Sequence, residues 1–271
     1  MARSEHPFGP QLGHLSGLRS GQQPGQQGLI ADWIEFSAVD GPGNRFVLFL
    51  QGCGFDCPAC HNPQTIPARS PDARRLSVEQ VLDIIGPAAP FLSGVTVSGG
   101  EATRQPHFLR ALFDALAADP AMRRLTRFVD TNGDAPRATW ELLDPVLDGA
   151  MVDLKSLDPG LHRRLTGRPN DRVLASIELL ARRGRLHEVR LLMLPGVNDS
   201  APLLDATGAW LADVDPRMRL KVIGFRPHGV RPSRMSPEGV GLLPGAPPQP
   251  HELQSYAARL RQHGDFEIVV V

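Results

Sequence analysis

Cysteine is scarce in this chain, with three among 271 residues, and none stands apart from the others. An odd, crowded trio excludes the disulfide framework of a small secreted domain, which needs an even count spread along the chain. Net charge is lacking as well: 29 Lys and Arg offset 29 Asp and Glu. No global field favours nucleic acid or an anionic membrane, so neither is expected as a partner. No apolar run approaches the roughly 20 residues of a membrane span, and Met1 to Gly28 holds no apolar core of a secretory signal. That Gly-, Gln-, Ser-, His- and Pro-rich start reads as a disordered leader (1–28) ahead of one domain over 29–271. Unprotected thiols fit a reducing compartment, so the expected location is cytoplasmic.

What cysteine there is stands in one run, Gly52-Cys53-Gly54-Phe55-Asp56-Cys57-Pro58-Ala59-Cys60-His61-Asn62-Pro63, with the spacing Cys-x3-Cys-x2-Cys. Thiolates this close on one loop bind iron–sulfur clusters, and a 4Fe–4S cube normally takes four protein ligands. Three leave one iron open to a small molecule. S-adenosylmethionine chelates such an iron through its amino and carboxylate groups, a pairing that supports radical chemistry. Structural zinc is the alternative, but it wants four tetrahedral ligands in separated pairs, and His61 beside Cys60 is badly placed to join the same ion.

Short apolar runs suited to burial on both faces recur at Arg45–Gln51, Gly94–Ser98, Thr126–Thr131, Ala150–Lys155, Glu188–Leu194, Arg219–Gly224 and Phe266–Val271. Helical periodicity fills the gaps at 77–86, 106–118, 136–146, 171–184, 201–213 and 250–263. Ser77-Val78-Glu79-Gln80 has the spacing of a capping box, and Gly184 is placed to end a helix. Such alternation predicts an α/β fold with a parallel sheet and right-handed crossovers. Six or so units are too few for an eight-fold barrel, so an open, partial barrel is expected. The Pro- and Gly-rich stretch Arg226–Pro250 is either a linker or a mobile cover over the site.

In parallel barrels chemistry gathers where strands end. The first strand here runs into the cysteine loop and the second into Ser98-Gly99-Gly100-Glu101. The third ends in Asp130-Thr131-Asn132-Gly133 and the fourth in Asp153-Leu154-Lys155. The fifth carries Arg190 and ends in Pro195-Gly196, and the sixth meets Arg226-Pro227-His228. Each motif alone also fits a βα turn, a helix cap or a solvated charge. Their common position is the stronger signal.

Taken with Asp40-Gly41-Pro42-Gly43-Asn44-Arg45, these motifs resemble, in order over about residues 29–230, the radical S-adenosylmethionine (SAM) enzymes that activate glycyl radical enzymes, the pyruvate formate-lyase activase type. Val39-Asp40-Gly41-Pro42-Gly43 and Val97-Ser98-Gly99-Gly100-Glu101-Ala102-Thr103 look most like the YjjW-type activases, but Gln64 to Leu76 holds no cysteine-bearing ferredoxin-like insert. Auxiliary clusters are excluded by ligand count, so electrons must arrive directly from outside.

The resemblance implies a partial (β/α)6 barrel in which Cys53, Cys57 and Cys60 hold one 4Fe–4S cluster. Gly99, Gly100 and Glu101 would meet the amino group of SAM, and Asn62, Lys155, Arg190 and His228 would surround the cofactor. Asp130 would lie at the cofactor too and, with Thr131, Met151 and Asp153, would form a monovalent-cation site; Asp40 would lie beside the incoming glycine loop. The implied reaction belongs to anaerobic metabolism: a 5′-deoxyadenosyl radical removes hydrogen from a glycine of a partner glycyl radical enzyme. The implied electron donor is a flavodoxin or ferredoxin. The competing readings are a radical enzyme acting on a small molecule or nucleotide, and a non-enzymatic iron–sulfur sensor or scaffold.

Overall fold

A computed structural model describes residues 26–227 and 242–271. Nearly all of the expected leader, His228 and the middle of the Pro/Gly-rich stretch lie outside the described residues. The strands are β1 (Gln27–Ser37), β2 (Arg45–Leu50), β3 (Arg74–Ser77), β4 (Gly94–Gly99), β5 (Thr126–Thr131), β6 (Gly149–Asp153), β7 (Leu186–Met193), β8 (Arg219–Gly224) and β9 (Glu267–Val270). The helices are α1 (Val78–Ile85), α2 (Pro106–Ala118), α3 (Arg137–Leu143), α4 (Pro159–Thr166), α5 (Asp171–Arg182), α6 (Ala201–Val214) and α7 (Pro250–Leu260).

One sheet of nine strands runs β3-β1-β2-β4-β5-β6-β7-β8-β9. From β2 to β9 every pairing is parallel. The outer strands β3 and β9 do not meet, so the barrel is partial and open, as the alternation predicts. The sheet is not wholly parallel, however. β1 pairs antiparallel with β2 across the Asp40-Gly41-Pro42-Gly43 turn, and β3 pairs antiparallel with β1. A seven-residue turn permits only a hairpin, and four-residue β3 is too short to carry a period of its own.

Helix placement follows local chemistry. Ser77 Oγ accepts from Gln80 N at 3.3 Å while Gln80 Oε1 accepts from Ser77 N at 2.9 Å, closing the capping box that starts α1. Gly184 takes φ +63° just beyond α5, a left-handed turn that costs glycine little. The apolar faces of these helices pack on the outer face of the sheet. Val81 and Ile85 of α1, Leu109 and Phe113 of α2, and Val173 and Ile177 of α5 lose all contact with water, each contributing roughly 1.5–3 kcal/mol. The inner face carries the polar residues, and the strand ends there form the site. Helix α4 is absent from the periodicity-based expectation because its mean composition is polar, but Asp158 at its N-cap, Pro159 at its first position and Gly167 after it are start and stop signals.

Candidate active site

Backbone pairing sets the cysteine loop before any side chain does. Gly52 N donates to Thr65 O at 2.8 Å and Cys53 N to Ile66 O at 3.0 Å, so the loop folds back on its own exit. On the other side Gly100 N donates to Leu50 O and Glu101 N to Gly52 O, both at 2.9 Å. A Cβ on Gly99 would fall 2.2 Å from Leu50 O, and one on Gly100 would fall 2.5 Å from Thr65 O and 2.6 Å from Gly52 O. Both glycines are therefore demanded by the close approach of two backbones, with Gly99 also at φ +125°. From sequence, a branched residue at 100 is expected to obstruct the ligand alone; here it also collides with the cysteine loop.

Glu101 is turned inward. Its Oε1 accepts from Thr103 N (2.9 Å), Thr103 Oγ1 (2.6 Å) and Thr131 Oγ1 (2.7 Å), and its Oε2 accepts from Asn132 N (2.7 Å). Burial pushes its pKa up, opposed by those hydrogen bonds. The side chain ties the end of β4 to the end of β5 and is absent from the cavity wall.

That cavity, about 260 Å³, has Cys53, Cys57, Cys60 and Asn62 on one wall. Gly99, Gly100, Asp130, Thr131, Asp153, Lys155 and Arg190 face them from the ends of the strands. The charges are paired. Arg190 Nη1 donates to Asp130 Oδ1 and Nε to Glu188 Oε1, each at 2.9 Å, and Nη2 lies 2.9 Å from Met151 Sδ. Lys155 Nζ donates to Asp153 Oδ2 at 2.7 Å. Burial opposes the charge on Lys155, but the Asp153 carboxylate beside it raises its pKa above the ordinary value. Arg190 is likewise raised, by Asp130, Asp153 and Glu188, against burial. Asp130 is pushed up because burial outweighs Arg190.

The site is braced from beneath by α4. Asp56 N donates to Thr166 O at 2.9 Å, Arg168 Nε donates to Gly54 O at 3.2 Å, and the Phe55 and His162 rings meet edge to face at 5.5 Å. His162 is fully buried, with Nδ1 3.0 Å from Arg168 O and burial lowering its pKa. Ala59 joins Leu161, Leu165, Leu194 and Phe225 in a small apolar cluster under the loop. None of the bracing residues stands out in the sequence, because their roles come from contacts made far along the chain.

Met151 does not line the cavity but is buried with its Sδ against Arg190. Asp40, expected beside an incoming glycine loop and not at the cofactor, stands in the turn before β2, where Ser37 Oγ donates to its Oδ2 at 2.5 Å. His61 bonds Arg226 O through Nε2 at 3.0 Å.

The cavity's donor set fits a cluster with an amino-acid-bearing cofactor. The three thiols are free and share one wall. Burial pushes Cys53 up to about 11 and raises Cys57 and Cys60 too, so the metal-free loop favours neutral thiols. Bound iron would supply the positive charge that buried thiolates lack. Among the described residues no three His, Cys, Asp or Glu side chains converge as ligands to a single ion. The same cavity is lined by the ion pairs Arg190–Asp130 and Lys155–Asp153, which offer groups of either sign to a zwitterion.

Residues 47–204 match the model of the Radical SAM superfamily. A pyruvate formate-lyase-activating enzyme of Streptococcus mutans is 31% identical over 210 residues, spanning 74% of this chain and 79% of that protein. Among solved structures, a domain of a pyruvate-formate lyase-activating enzyme from Bacteroides vulgatus aligns with TM-score 0.52 at 22% identity, over 66% of this chain and 99% of that one. A radical SAM methyltransferase from Sphaerobacter thermophilus aligns with TM-score 0.63 at 17% identity, over 84% of this chain and 66% of that one. Those two likenesses establish the fold, and the family match together with the curated relative establishes the rest: the chain belongs to the radical SAM superfamily, alongside the pyruvate formate-lyase-activating enzymes.

Proposed function

We propose that this radical SAM enzyme activates a partner glycyl radical enzyme by taking a hydrogen atom from one of its glycines. The observation that carries the reading is one cavity with three free thiols on one wall and paired buried charges on the other. When bound, the 4Fe–4S cluster and SAM supply reductive carbon–sulfur cleavage and a hydrogen-abstracting carbon radical. Cys53, Cys57 and Cys60 would each hold one iron. Asn132 Nδ2, 3.6 Å from Cys53 Sγ, is placed to tune the cluster by donating toward that sulfur.

Arg190 and Lys155 are the cationic groups placed to receive a carboxylate, and Gly99 and Gly100 offer backbone to an ammonium group. Glu101 serves that end indirectly, by fixing the loop that carries the two glycines. The monovalent cation belongs to the same proposal. A cofactor carboxylate held by Arg190 and Lys155 would compete with Asp130 and Asp153 for their charges, and those two carboxylates would then hold a monovalent cation that restores neutrality. Water exclusion is the remaining task, since a primary carbon radical attacks whatever it meets.

The decisive experiment is anaerobic reconstitution with iron counting, followed by assay of SAM cleavage with a flavodoxin or ferredoxin as reductant and electron paramagnetic resonance on the co-purified partner. A glycyl radical on that partner is the expected result. Cofactor cleavage yielding a modified small molecule or nucleotide, with no protein radical, overturns the activase reading and leaves the superfamily chemistry standing.

A further inference from the structure

We propose that Asn198 is a positioning residue for the cofactor: it fixes the root of Lys155, and so where the Lys155 ammonium can reach. The inference rests on the proposed role of Lys155 in receiving the SAM carboxylate. Asn198 stands in the loop between β7 and α6, 7% exposed and outside the cavity wall. Its carboxamide is used at both ends. Nδ2 donates to Leu192 O at 2.8 Å and to Lys155 O at 3.3 Å, while Oδ1 accepts from Leu194 N at 2.7 Å. All three of those partners belong to residues that line the cavity.

The pairing of β6 with β7 ends at Asp153 and Arg190, with one further bond from Leu154 N to Arg190 O at 3.0 Å. Beyond it the carbonyls of Lys155 and Leu192 are both acceptors and cannot bond each other. A primary amide, with two hydrogens on one nitrogen, joins them. Lys155 needs that support more than Arg190 does. The Arg190 guanidinium is held directly by Glu188, Asp130 and Met151. The Lys155 ammonium makes one side-chain hydrogen bond among the described residues, to Asp153 two positions back. Its stem is long and flexible, so the place of its backbone decides the place of its charge. The loop that carries Asn198 is itself anchored on the far side. Asp199 Oδ1 accepts from Gly196 N at 2.9 Å, and its Oδ2 accepts from Tyr256 Oη of α7 at 2.8 Å. Small displacements of a positioning group are costly in binding and in catalysis.

The test is a double-variant cycle on the reconstituted protein, with SAM as the probe in anaerobic titration calorimetry and iron counted in every sample. Asn198→Ala should raise the Kd for SAM roughly threefold to tenfold with iron content unchanged. Lys155→Met should raise it at least as much, and adding Asn198→Ala to Lys155→Met should change it by less than about twofold, because the positioned group is gone. Tyr256→Phe loosens the same loop from α7 and should leave the Kd within about twofold of wild type. Unchanged affinity in Asn198→Ala overturns the proposal. An equal cost with and without Lys155, or a cost as large in Tyr256→Phe, also overturns it, since the loop then acts by general stiffness. If the alanine variant loses iron, Asn198→Asp takes its place, keeping the acceptor for Leu194 N while removing the donors. Iron loss in both variants assigns Asn198 to the fold of the cluster loop and overturns its role toward Lys155. Unchanged affinity in Lys155→Met removes Lys155 from the cofactor and this inference with it. A wild-type chain that loads iron yet binds no SAM fails instead at the proposed function.

Discussion

Two arginines on the inner face of the barrel bury their guanidinium groups in opposite ways. Arg45, at the base where β2 begins, is 0% exposed and bonds only neutral oxygens: Thr96 Oγ1 (3.0 Å), Pro42 O (3.4 Å), Thr126 Oγ1 (2.5 Å), Val95 O (2.8 Å) and Thr126 O (3.0 Å). Its guanidinium also lies 4.6 Å from the centre of the Phe128 ring. Arg190, at the cofactor end, is 8% exposed and bonds two carboxylates. Burial lowers the pKa of Arg45 to about 10, whereas carboxylates raise that of Arg190 against burial. Neutral acceptors satisfy geometry and fix Arg45 as a permanent clamp between the Asp40 turn and strands β4 and β5. Ion pairs satisfy charge and can be exchanged for those of a ligand. One barrel thus has a base built to hold still and a mouth built to trade partners.

The sharpest break in that contrast comes at the mouth. Cys53→Ala, Cys57→Ala or Cys60→Ala should each abolish cluster assembly, measured by iron counting after anaerobic reconstitution, while the apo fold survives. Clean uptake of one zinc and no iron by the wild type would defeat the assignment. At the base, Arg45→Met leaves several buried oxygens without donors and should cost about 3–5 kcal/mol in urea unfolding. Iron per folded molecule should be unchanged. A small cost there would mean that the clamp is dispensable.

Gly100→Val joins the two ends of the comparison. Its side chain meets backbone oxygens of Thr65 and Gly52, so the variant should lose about 2–4 kcal/mol of stability and part of its iron along with cofactor binding. Full iron loading with cofactor binding lost would return its effect to the ligand alone. Arg190→Gln should weaken SAM binding about tenfold, near 1.4 kcal/mol, with iron content intact, by anaerobic titration calorimetry. Unchanged affinity would remove Arg190 from the cofactor's surroundings.

The smallest effect concerns the brace. His162 is held neutral, with its pKa below 6.5. The unfolded chain binds a proton there before the folded chain does, so stability falls as pH drops below about 6.5. Apo His162→Gln should show a flatter acid limb by up to about 1 kcal/mol in thermal unfolding scans between pH 7 and pH 5. An identical acid limb would assign the loss to other groups.

What the sequence determined by itself was whatever depends on residue type and near neighbours. The cysteine spacing, the glycines before Glu101, the capping box at Ser77 and the run of apolar strands from Arg45 to Val271 are all local patterns, although β9 at the sheet edge buries none of its residues and β8 only alternate ones. The open α/β barrel follows from them because parallel strands need crossovers and six such units cannot close a barrel. The inward turn of Glu101, the antiparallel edge of β1 and β3, α4 beneath the cysteine loop and the pairing of Arg190 with Asp130 were decided only in three dimensions. Glu101 reads from sequence as a ligand to an ammonium group, yet Thr103, Thr131 and Asn132 satisfy its carboxylate. A buried charge takes the partners that topology brings within about 3 Å; Thr103 lies two residues along, but Thr131 and Asn132 stand at the end of another strand, where no local pattern records them.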